Sequence, residues 1–379
     1  MKKAAIAVAF LLFATPSFAQ IGAITRGINK GLDAKDKYDK LSGMSEKEER
    51  QLGERISAML VDRFGVFQDE AATKYVTLVG SVLVQASTRP NLQWEFIVLD
   101  TDGVNAFATP GGFVHITRGA LGLIKSEAEL AGVLGHEITH ITAKHTVGSI
   151  DKAMRTDVAT DVGSGYVAGG GLSADLLNRL ADIGYKVAFE NRYDRKDELE
   201  ADHIGVQVAN KVGYAPNGMI AFLQKIADRN KDMKEPNGWF ASHPLIKDRI
   251  KEMENAIKKE KLNATATVQA RYAEKISFEA KALETIAVDM AGVRGAVGGT
   301  AAPKEEPKKE EQKKSSGGGM LGGLSKLGGS KSQSSQTVAS AGTRGVGPDR
   351  DAVGGPNKSK LKVPVTPAEI DAFKKGIVG

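Results

Sequence analysis

The chain contains no cysteine among its 379 residues. Disulfide bonds, thiolate metal ligands and cysteine nucleophiles are therefore excluded, and any metal must be bound by histidine and carboxylate groups. Ligands of this kind suit a catalytic zinc site better than a structural one. Histidine is also scarce, with six residues, so two histidines at a ligand spacing stand out against a low background.

Long apolar runs are missing after the first 19 residues. No later segment approaches the roughly 18 apolar residues of a membrane span, so the exported chain is not expected to span a membrane. The net charge is +6, but no basic patch is interleaved with aromatic residues. Weak attraction to anionic surfaces is compatible with this charge, whereas nucleic-acid binding is not expected.

The first 19 residues have the pattern of a secretory signal peptide. Lys2 and Lys3 precede an apolar run from Ala4 to Ala14, and small residues lead to Ala19. Cleavage after Ala19 would release the chain into the periplasm. An uncleaved membrane anchor is the alternative, but the apolar run is short for a membrane span.

The segment His136-Glu137-Ile138-Thr139-His140 has the pattern H-E-x-x-H. In a helix, residues i and i+4 lie on one face, so both imidazoles can bind one metal ion, with Glu137 beside it as general base. Ser126 and Glu129 have the spacing of a capping box, which predicts the start of such a helix. Apolar residues then recur at helical spacing, at Leu130, Val133, Leu134, Ile138 and Ile141. The alternative is a surface helix with two chance histidines.

A later candidate helix carries two acidic residues one turn apart. Glu198 and Asp202 share a face, whereas Glu200 points elsewhere. This geometry suits Glu198 as a metal ligand, with Asp202 behind it to orient a ligand histidine through its free N–H group. A solvated acidic face is the alternative, but apolar neighbours indicate partial burial of this helix.

Before the H-E-x-x-H motif, apolar runs bounded by turn residues predict three strands, over residues 94–99, 104–108 and 113–117. The open edge of the hairpin could hold an extended peptide at the metal through main-chain hydrogen bonds, although an ordinary core hairpin is equally consistent. Residues 146–171 are rich in glycine and small polar residues, so they are either a lid over the site or a surface excursion.

The expected fold class is α+β, a mainly helical zincin-like metalloprotease domain with a small β-sheet beside the H-E-x-x-H helix. The short C-terminal helix is expected to fray rather than to dock. The predicted segments are a signal peptide (1–19), an N-terminal arm (20–43), the metallopeptidase domain (44–262), a flanking helix (263–292), a disordered low-complexity linker (293–365) and a C-terminal helix (366–379).

Four segments resemble, in the same order, motifs of one zinc metallopeptidase family: NAFATPGGFVHITRGAL, HEITH, ELEAD and SHPLIKDRI. This gluzincin family holds the HtpX heat-shock proteases, the CAAX prenyl endopeptidases and the periplasmic BepA-type proteases. The resemblance covers about residues 45–260. No tetratricopeptide repeat follows the domain, so the chain is expected to be a soluble periplasmic member without such repeats.

The resemblance implies a role for each matching residue. One zinc ion per chain would be bound by His136, His140 and Glu198, with Glu137 as the general base. Arg249 would stabilise the oxyanion, and His243 could approach the zinc as a regulatory fourth ligand. The substrate strand would be shaped by Asn105, Gly111, Gly112 and Phe113. One departure is Asp194, because relatives often have serine between the tyrosine and the arginine that correspond to Tyr193 and Arg195.

The remaining histidines receive other interpretations. His145 lies five residues after His140, about 140° around a continuous helix, so it is a poor ligand and is expected behind the ligands or on the surface. His115 alternates with its strand neighbours, so it lines the cleft or is solvated. His203 is not on the face of Asp202 and receives no role.

The H-E-x-x-H motif, the ELEAD segment and the export signal predict a zinc endopeptidase. The resemblance implies misfolded or misassembled envelope proteins as its substrates. The main alternative is a latent protease that acts as a chaperone or outer-membrane assembly factor, in which His243 blocks the zinc site. A third hypothesis makes the C-terminal tail a tether to an envelope partner. The expected partners are unfolded or misassembled envelope proteins as substrates and, under the second hypothesis, the outer-membrane assembly machinery.

Overall fold

A computed structural model describes residues 44–157, 174–189, 193–231, 238–283 and 354–378. The predicted signal peptide, the N-terminal arm and most of the predicted linker lie outside these residues. The second half of the candidate lid also lies outside them, whereas its first half, up to Asp157, is helical.

The described chain is mainly helical, with one small sheet, which confirms the predicted fold class. The helices are α1 (Glu46–Phe64), α2 (Glu70–Ala86), α3 (Arg118–Leu123), α4 (Glu127–Thr142), α5 (His145–Asp157), α6 (Ala174–Phe189), α7 (Arg195–Val212), α8 (Gly218–Arg229), α9 (Gly238–Ser242), α10 (Ile246–Glu260), α11 (Gln269–Lys275) and α12 (Pro367–Val378). The strands are β1 (Glu95–Leu99), β2 (Ala106–Thr109) and β3 (Phe113–Thr117). Within the described ranges, no helix is long and apolar enough to cross a membrane.

Helix α4 forms the centre of the molecule. The Ser126 side-chain cap is present, since Ser126 Oγ accepts a hydrogen bond from Glu129 N at 3.2 Å. The second bond of the predicted capping box is shifted by one residue, since Glu129 Oε2 accepts from Lys125 N at 3.0 Å. The helix is buried on all sides from Glu127 to Ile141. A helix buried all round must satisfy its polar side chains internally, which places its two histidines and Glu137 among protein groups rather than in water.

Two glycines set the distance between α4 and α7. A Cβ atom on Gly135 would lie 3.0 Å from the Gly205 carbonyl oxygen, and a Cβ atom on Gly205 would lie 2.9 Å from His136 N. Side chains larger than hydrogen would therefore push the two backbones apart. This close approach brings the acidic face of α7 to the histidine face of α4.

The sheet has the strand order β1-β3-β2, with β1 parallel and β2 antiparallel to β3. The predicted β2–β3 hairpin is thus confirmed, and β2 is an edge strand. Its turn requires glycine, because Gly111 and Gly112 have φ values of 72° and 102°. The Gly111 N–H group donates to the buried Glu49 Oε1 at 3.2 Å, which joins the turn to α1.

The predicted flanking helix is shorter than expected. Helix α11 ends at Lys275, and the chain turns to extended backbone at Ile276. Two contacts explain the change of direction. The Tyr272 hydroxyl donates to the Leu121 carbonyl oxygen at 2.6 Å, and the Phe278 ring meets the edge of Phe67 at 5.4 Å between centroids. A continuous helix would turn Phe278 away from this site.

The C-terminal segment docks on the body, so the predictions of disorder up to residue 365 and of a frayed terminal helix are wrong for residues 354–378. The N–H group of Gly355 donates to the Asp100 carbonyl oxygen at 2.7 Å, and Gly354 and Gly355 leave no space for a Cβ atom against the body. In α12, Phe373 lies 6.0 Å from the Tyr75 ring and Ile377 is buried. Residues 370, 373 and 377 recur at helical spacing, which was the sequence signal for a docking face.

Candidate metal centre

Four buried side chains from three segments meet at one point. Helix α4 supplies His136 and His140, α7 supplies Glu198, and the residue after α9 supplies His243. One ligand atom from each of the four lies within 4.8 Å of all the others. Each of these side chains is at most 2% exposed, so the cluster is isolated from bulk water.

The spacing of these atoms fits a tetrahedral metal ion. His140 Nε2 lies 3.0 Å from His136 Nε2 and 3.5 Å from Glu198 Oε1, and His243 Nδ1 lies 2.9 Å from Glu198 Oε1. Ligand atoms about 2.0–2.1 Å from a tetrahedral zinc ion are about 3.3 Å apart. Three imidazole nitrogens and one carboxylate oxygen are also a ligand set that zinc accepts.

The protonation of the cluster favours metal binding near neutral pH. Burial lowers the pKa of His136 to about 4 and the pKa of His140 well below its usual value, so both rings are neutral and keep a lone pair for a metal. Burial alone would raise the pKa of Glu198, but His243 and Arg249 hold it well below its ordinary value. Glu198 is therefore a carboxylate.

Glu137 faces the cluster without a hydrogen-bond partner of its own. Both its carboxylate oxygens are buried, and among the described residues neither has a partner. Nε2 of the His243 ring lies 3.7 Å from Glu137 Oε1. Burial raises the pKa of Glu137 to about 7. Such a carboxyl group exchanges a proton near neutral pH, and no described residue holds either of its oxygens by a hydrogen bond.

Asp202 and Arg249 form a layer behind the ligands. Asp202 Oδ1 lies 2.9 Å from His136 Nδ1, the contact that the predicted orienting role requires. Arg249 binds Asp202 through two parallel hydrogen bonds of 2.7 Å, and its Nη1 atom lies 2.7 Å from Glu198 Oε2. Arg249 is 1% exposed, and its nitrogens contact these two carboxylates, so it holds Asp202 and Glu198 in position. Its predicted oxyanion role remains a prediction.

His243 is held by aromatic rings and by the strand edge. Its ring stacks on Trp239 at 4.2 Å and lies 5.9 Å from Tyr193. Helix α9 is joined to the start of β2, since Trp239 N donates to the Val104 carbonyl oxygen at 2.9 Å and Ser242 Oγ donates to Asn105 Oδ1 at 3.3 Å. The segment that carries His243 thus contacts the predicted peptide-binding edge.

The other predicted substrate residues have different surroundings. Gly111, in the hairpin turn, contacts α1 through Glu49, and Phe113 is buried below the Arg50 guanidinium group, 3.8 Å from the ring centroid. Gly112 accepts a hydrogen bond from Glu95 N at 2.8 Å. These contacts join the turn to α1 and β1, whereas Asn105 is joined to the segment of His243. Their binding roles remain predictions.

Asp194, the departure from the family pattern, is exposed. It pairs with Lys152 at 2.9 Å and precedes the first turn of α7. Lys152 therefore balances the charge of Asp194 at the surface. Among the described contacts, none joins the carboxylate of Asp194 to the side chains of the four candidate ligands.

His145 and Tyr193 lie near the candidate ligands, although the sequence pattern predicts no role for either. His145 Nδ1 lies 3.0 Å from His140 Nδ1, so His145 is behind the ligands, one of its two expected places. Tyr193 stacks on the His140 ring at 4.0 Å. His115 is fully buried and lies 2.9 Å from Ser57 Oγ, so it is not solvated. The helix that carries His140 ends at Thr142, before His145. A change in the apolar periodicity at this point is the sequence signal that could have indicated the position of His145.

A buried H-E-x-x-H helix and a glutamate from a second helix define the site of a zincin-type metallopeptidase. The model of peptidase family M48 matches residues 70–257, so this region of the chain belongs to that family. The predicted family is thereby confirmed, and the predicted enzyme class, a metalloendopeptidase, agrees with it.

Curated relatives share the same region. The chain is 28% identical over 260 residues to the beta-barrel assembly-enhancing protease of Yersinia pestis, covering 65% of this chain and 52% of the relative. It is 27% identical over 217 residues to the protein of that name from Escherichia coli (56% and 45%), and 31% identical over 182 residues to the mitochondrial metalloendopeptidase OMA1 of Schizosaccharomyces pombe (48% and 52%). The chain spans about half the length of these relatives.

Proposed function

We propose that this protein is a zinc-dependent endopeptidase. The observation that carries the proposal is the buried cluster of His136, His140 and Glu198 beside Glu137, a carboxyl group with no hydrogen-bond partner among the described residues. A structural metal site would not require an unpartnered acid next to it, because such a group is costly to bury. A general base requires this arrangement.

The residues divide the chemistry among them. A bound zinc ion would supply Lewis acidity toward water and the scissile carbonyl group. Glu137 takes a proton from the attacking water and delivers it to the leaving amine, for which a pKa near 7 is suited. Asp202 fixes the ring of His136, and Arg249 fixes Asp202 and Glu198. In the same proposal, Asn105, the residue before the edge strand β2, binds the backbone of an extended substrate.

We propose misfolded or misassembled envelope proteins as the substrates and the periplasm as the location. The location rests on the signal-peptide pattern of residues 1–19. The substrate class rests on relatives named for enhancing the assembly of beta-barrels. Main-chain recognition at a strand edge supports the same class, since it selects extended, unfolded chain rather than a particular side chain.

The substitution Glu137→Gln tests this function. Cleavage of an unfolded protein such as casein is expected to fall by about 10²-fold or more, since general-base catalysis contributes about 10²–10⁴-fold. Zinc content, measured on the same samples, is expected to remain one ion per chain. Glu254→Gln on the exposed face of α10 is the control and should cleave normally. Unchanged cleavage by the Glu137 variant would contradict the proposed role.

A second candidate function is a latent protease, favoured by the position of His243. Its Nδ1 atom lies 2.9 Å from Glu198 Oε1, within the four-residue cluster. As a fourth metal ligand, His243 would take the position that a water molecule needs. In this form the protein would act mainly as a chaperone or assembly factor until a partner displaced α9.

The substitution His243→Ala separates the two functions. For a latent protease, casein cleavage is expected to rise while zinc content stays at one ion per chain. His203→Ala, at an exposed histidine of α7, is the control and should leave cleavage unchanged. If the His243 variant retains zinc but cleaves no faster than the unmodified protein, His243 does not hold the protease latent.

A further inference from the structure

His145 is the first residue of α5 and follows a backbone break at the end of α4. Lys144 has a φ of 59°, in the left-handed region that a lysine rarely adopts. The side chain of Lys144 is nearly buried and lies 3.5 Å from Glu49 Oε2. This turn ends the continuous helix, so the angle of about 140° from His140 that such a helix imposes no longer applies. His145 instead turns back toward the last turn of α4.

The turn brings two imidazole rings into contact. His145 Nδ1 lies 3.0 Å from His140 Nδ1, and the ring planes are inclined by 76°. His145 is 2% exposed, so no bulk water competes for this contact. A hydrogen bond between two nitrogens requires one donor and one acceptor, which restricts the tautomers of both rings.

The position of the metal group decides which ring donates. His140 Nε2 faces His136 and Glu198, so as a metal ligand it must present a lone pair there, and its proton lies on Nδ1. His145 Nδ1 is then the acceptor, and the proton of His145 lies on Nε2. That atom faces two carboxylates of α7, Asp197 Oδ1 at 3.9 Å and Glu200 Oε2 at 3.8 Å.

We infer that His145 is a positioning residue for the metal ligand His140, within a series that runs from Asp197 and Glu200 through His145 to His140. The inference rests on the metal site of the proposed function. The two ligand histidines are then oriented by different means. The Nδ1 atom of His136 contacts the carboxylate of Asp202 directly, whereas Nδ1 of His140 contacts His145, which in turn faces carboxylates. Groups that orient a ligand histidine fix its tautomer and ring plane, and their loss weakens metal binding.

Tyr193 covers the face of the His140 ring and contacts Thr146, the residue after His145. Tyr193 stacks on His140 at 4.0 Å with an interplanar angle of 27°, and its hydroxyl group lies 2.8 Å from Thr146 Oγ1. The His145-Thr146 pair therefore restricts His140 both at its edge and at its face. Free rotation of the His140 ring would require both contacts to break.

A matched pair of substitutions tests the inference. In His145→Phe the ring volume stays but the acceptor is lost, whereas in His145→Asn the side-chain oxygen stands close to the position of Nδ1 and can accept the same proton. Metal-free proteins are titrated with zinc against a chromogenic chelator. His145→Phe is expected to raise the zinc dissociation constant by about 10–100-fold, and His145→Asn is expected to restore most of the affinity.

Two further measurements separate positioning from folding. The visible spectrum of the cobalt-substituted protein is expected to change in His145→Phe, because the His140 ring moves relative to the metal. The melting temperature of the metal-free protein reports on folding alone. If His145→Phe does not fold, Asp197→Asn combined with Glu200→Gln tests the same series from its exposed end, with weaker zinc binding expected and unchanged zinc binding contradicting the inference.

The result that overturns the inference is a His145→Phe protein with unaltered zinc affinity and cobalt spectrum. Equal loss of affinity in the Phe and Asn variants overturns it too, because the accepted hydrogen bond would then be irrelevant. His203→Phe, at the exposed histidine paired with Glu260, is the control. If the unmodified protein binds no zinc at all, the proposed function fails instead, so the two failures are distinguishable.

Discussion

Replacement of Glu137 by glutamine should stabilise the metal-free protein, although the same change lowers cleavage by the zinc-bound protein. Burial raises the pKa of this carboxyl group from 4.5 to about 7 in the folded chain. In the unfolded chain the group is solvated and ionises at its ordinary value. Glutamine has the shape of the protonated acid but cannot ionise, so it removes the cost of burying the charge.

The sign and size of the effect follow from linkage. Below the ordinary pKa both states are protonated and the group contributes nothing, whereas above the folded pKa the folded state holds a buried charge that costs about 3 kcal/mol, at about 1.36 kcal/mol per pKa unit. The wild-type protein should therefore lose stability from this group as pH rises between these values. Glu137→Gln should gain about 1 kcal/mol at pH 5 and about 3 kcal/mol at pH 8.

Urea unfolding of the metal-free proteins at the two pH values measures this gain, with Glu254→Gln at an exposed site as the control. Zinc provides a second comparison, because its positive charge favours ionised Glu137 and should reduce the advantage of glutamine. A gain that is the same at both pH values, or absent at pH 8, would refute the argument that Glu137 is a desolvated acid.

Three further outcomes are expected. Arg249→Leu leaves Asp202 and Glu198 buried without their cation and should cost about 3–5 kcal/mol in urea unfolding, whereas Lys247→Leu on the exposed face of α10 should cost little. Phe373→Ala should lower stability by about 1–2 kcal/mol, because the ring packs on Tyr75 and on the Arg271 guanidinium group. Lys374→Ala, at an exposed position of α12, is the control. Equal unfolding midpoints for these two variants would mean that α12 does not dock in solution. Chelation of the metal should lower the melting temperature, and added zinc at about 1,000 times its dissociation constant should restore about 4 kcal/mol.

The sequence alone determined the features that depend on neighbouring residues. The H-E-x-x-H spacing places His136 and His140 on one helical face, and Ser126 starts that helix with a side-chain cap. The Gly111-Gly112 turn and the hairpin follow from a backbone conformation that glycine adopts without strain. Each of these depends on hydrogen bonds or sterics within a few residues, so each can be derived from a short stretch of chain.

Only the tertiary structure decided which distant side chains meet. The approach of α4 and α7 at Gly135 and Gly205 sets the distance from Glu198 to the histidines, and no local pattern contains that distance. The docking of residues 354–378 similarly depends on a surface built from segments that lie far apart in the chain.

His145 shows the same limit within five residues of the motif. Helical periodicity predicts that His145 points away from His140, because the period applies only if the helix continues. The left-handed turn at Lys144, stabilised by a buried ion pair with Glu49 from another helix, ends that period and returns His145 to the ligand. The motif thus indicated that a metal could be bound, whereas long-range packing determined which groups hold its ligands in place.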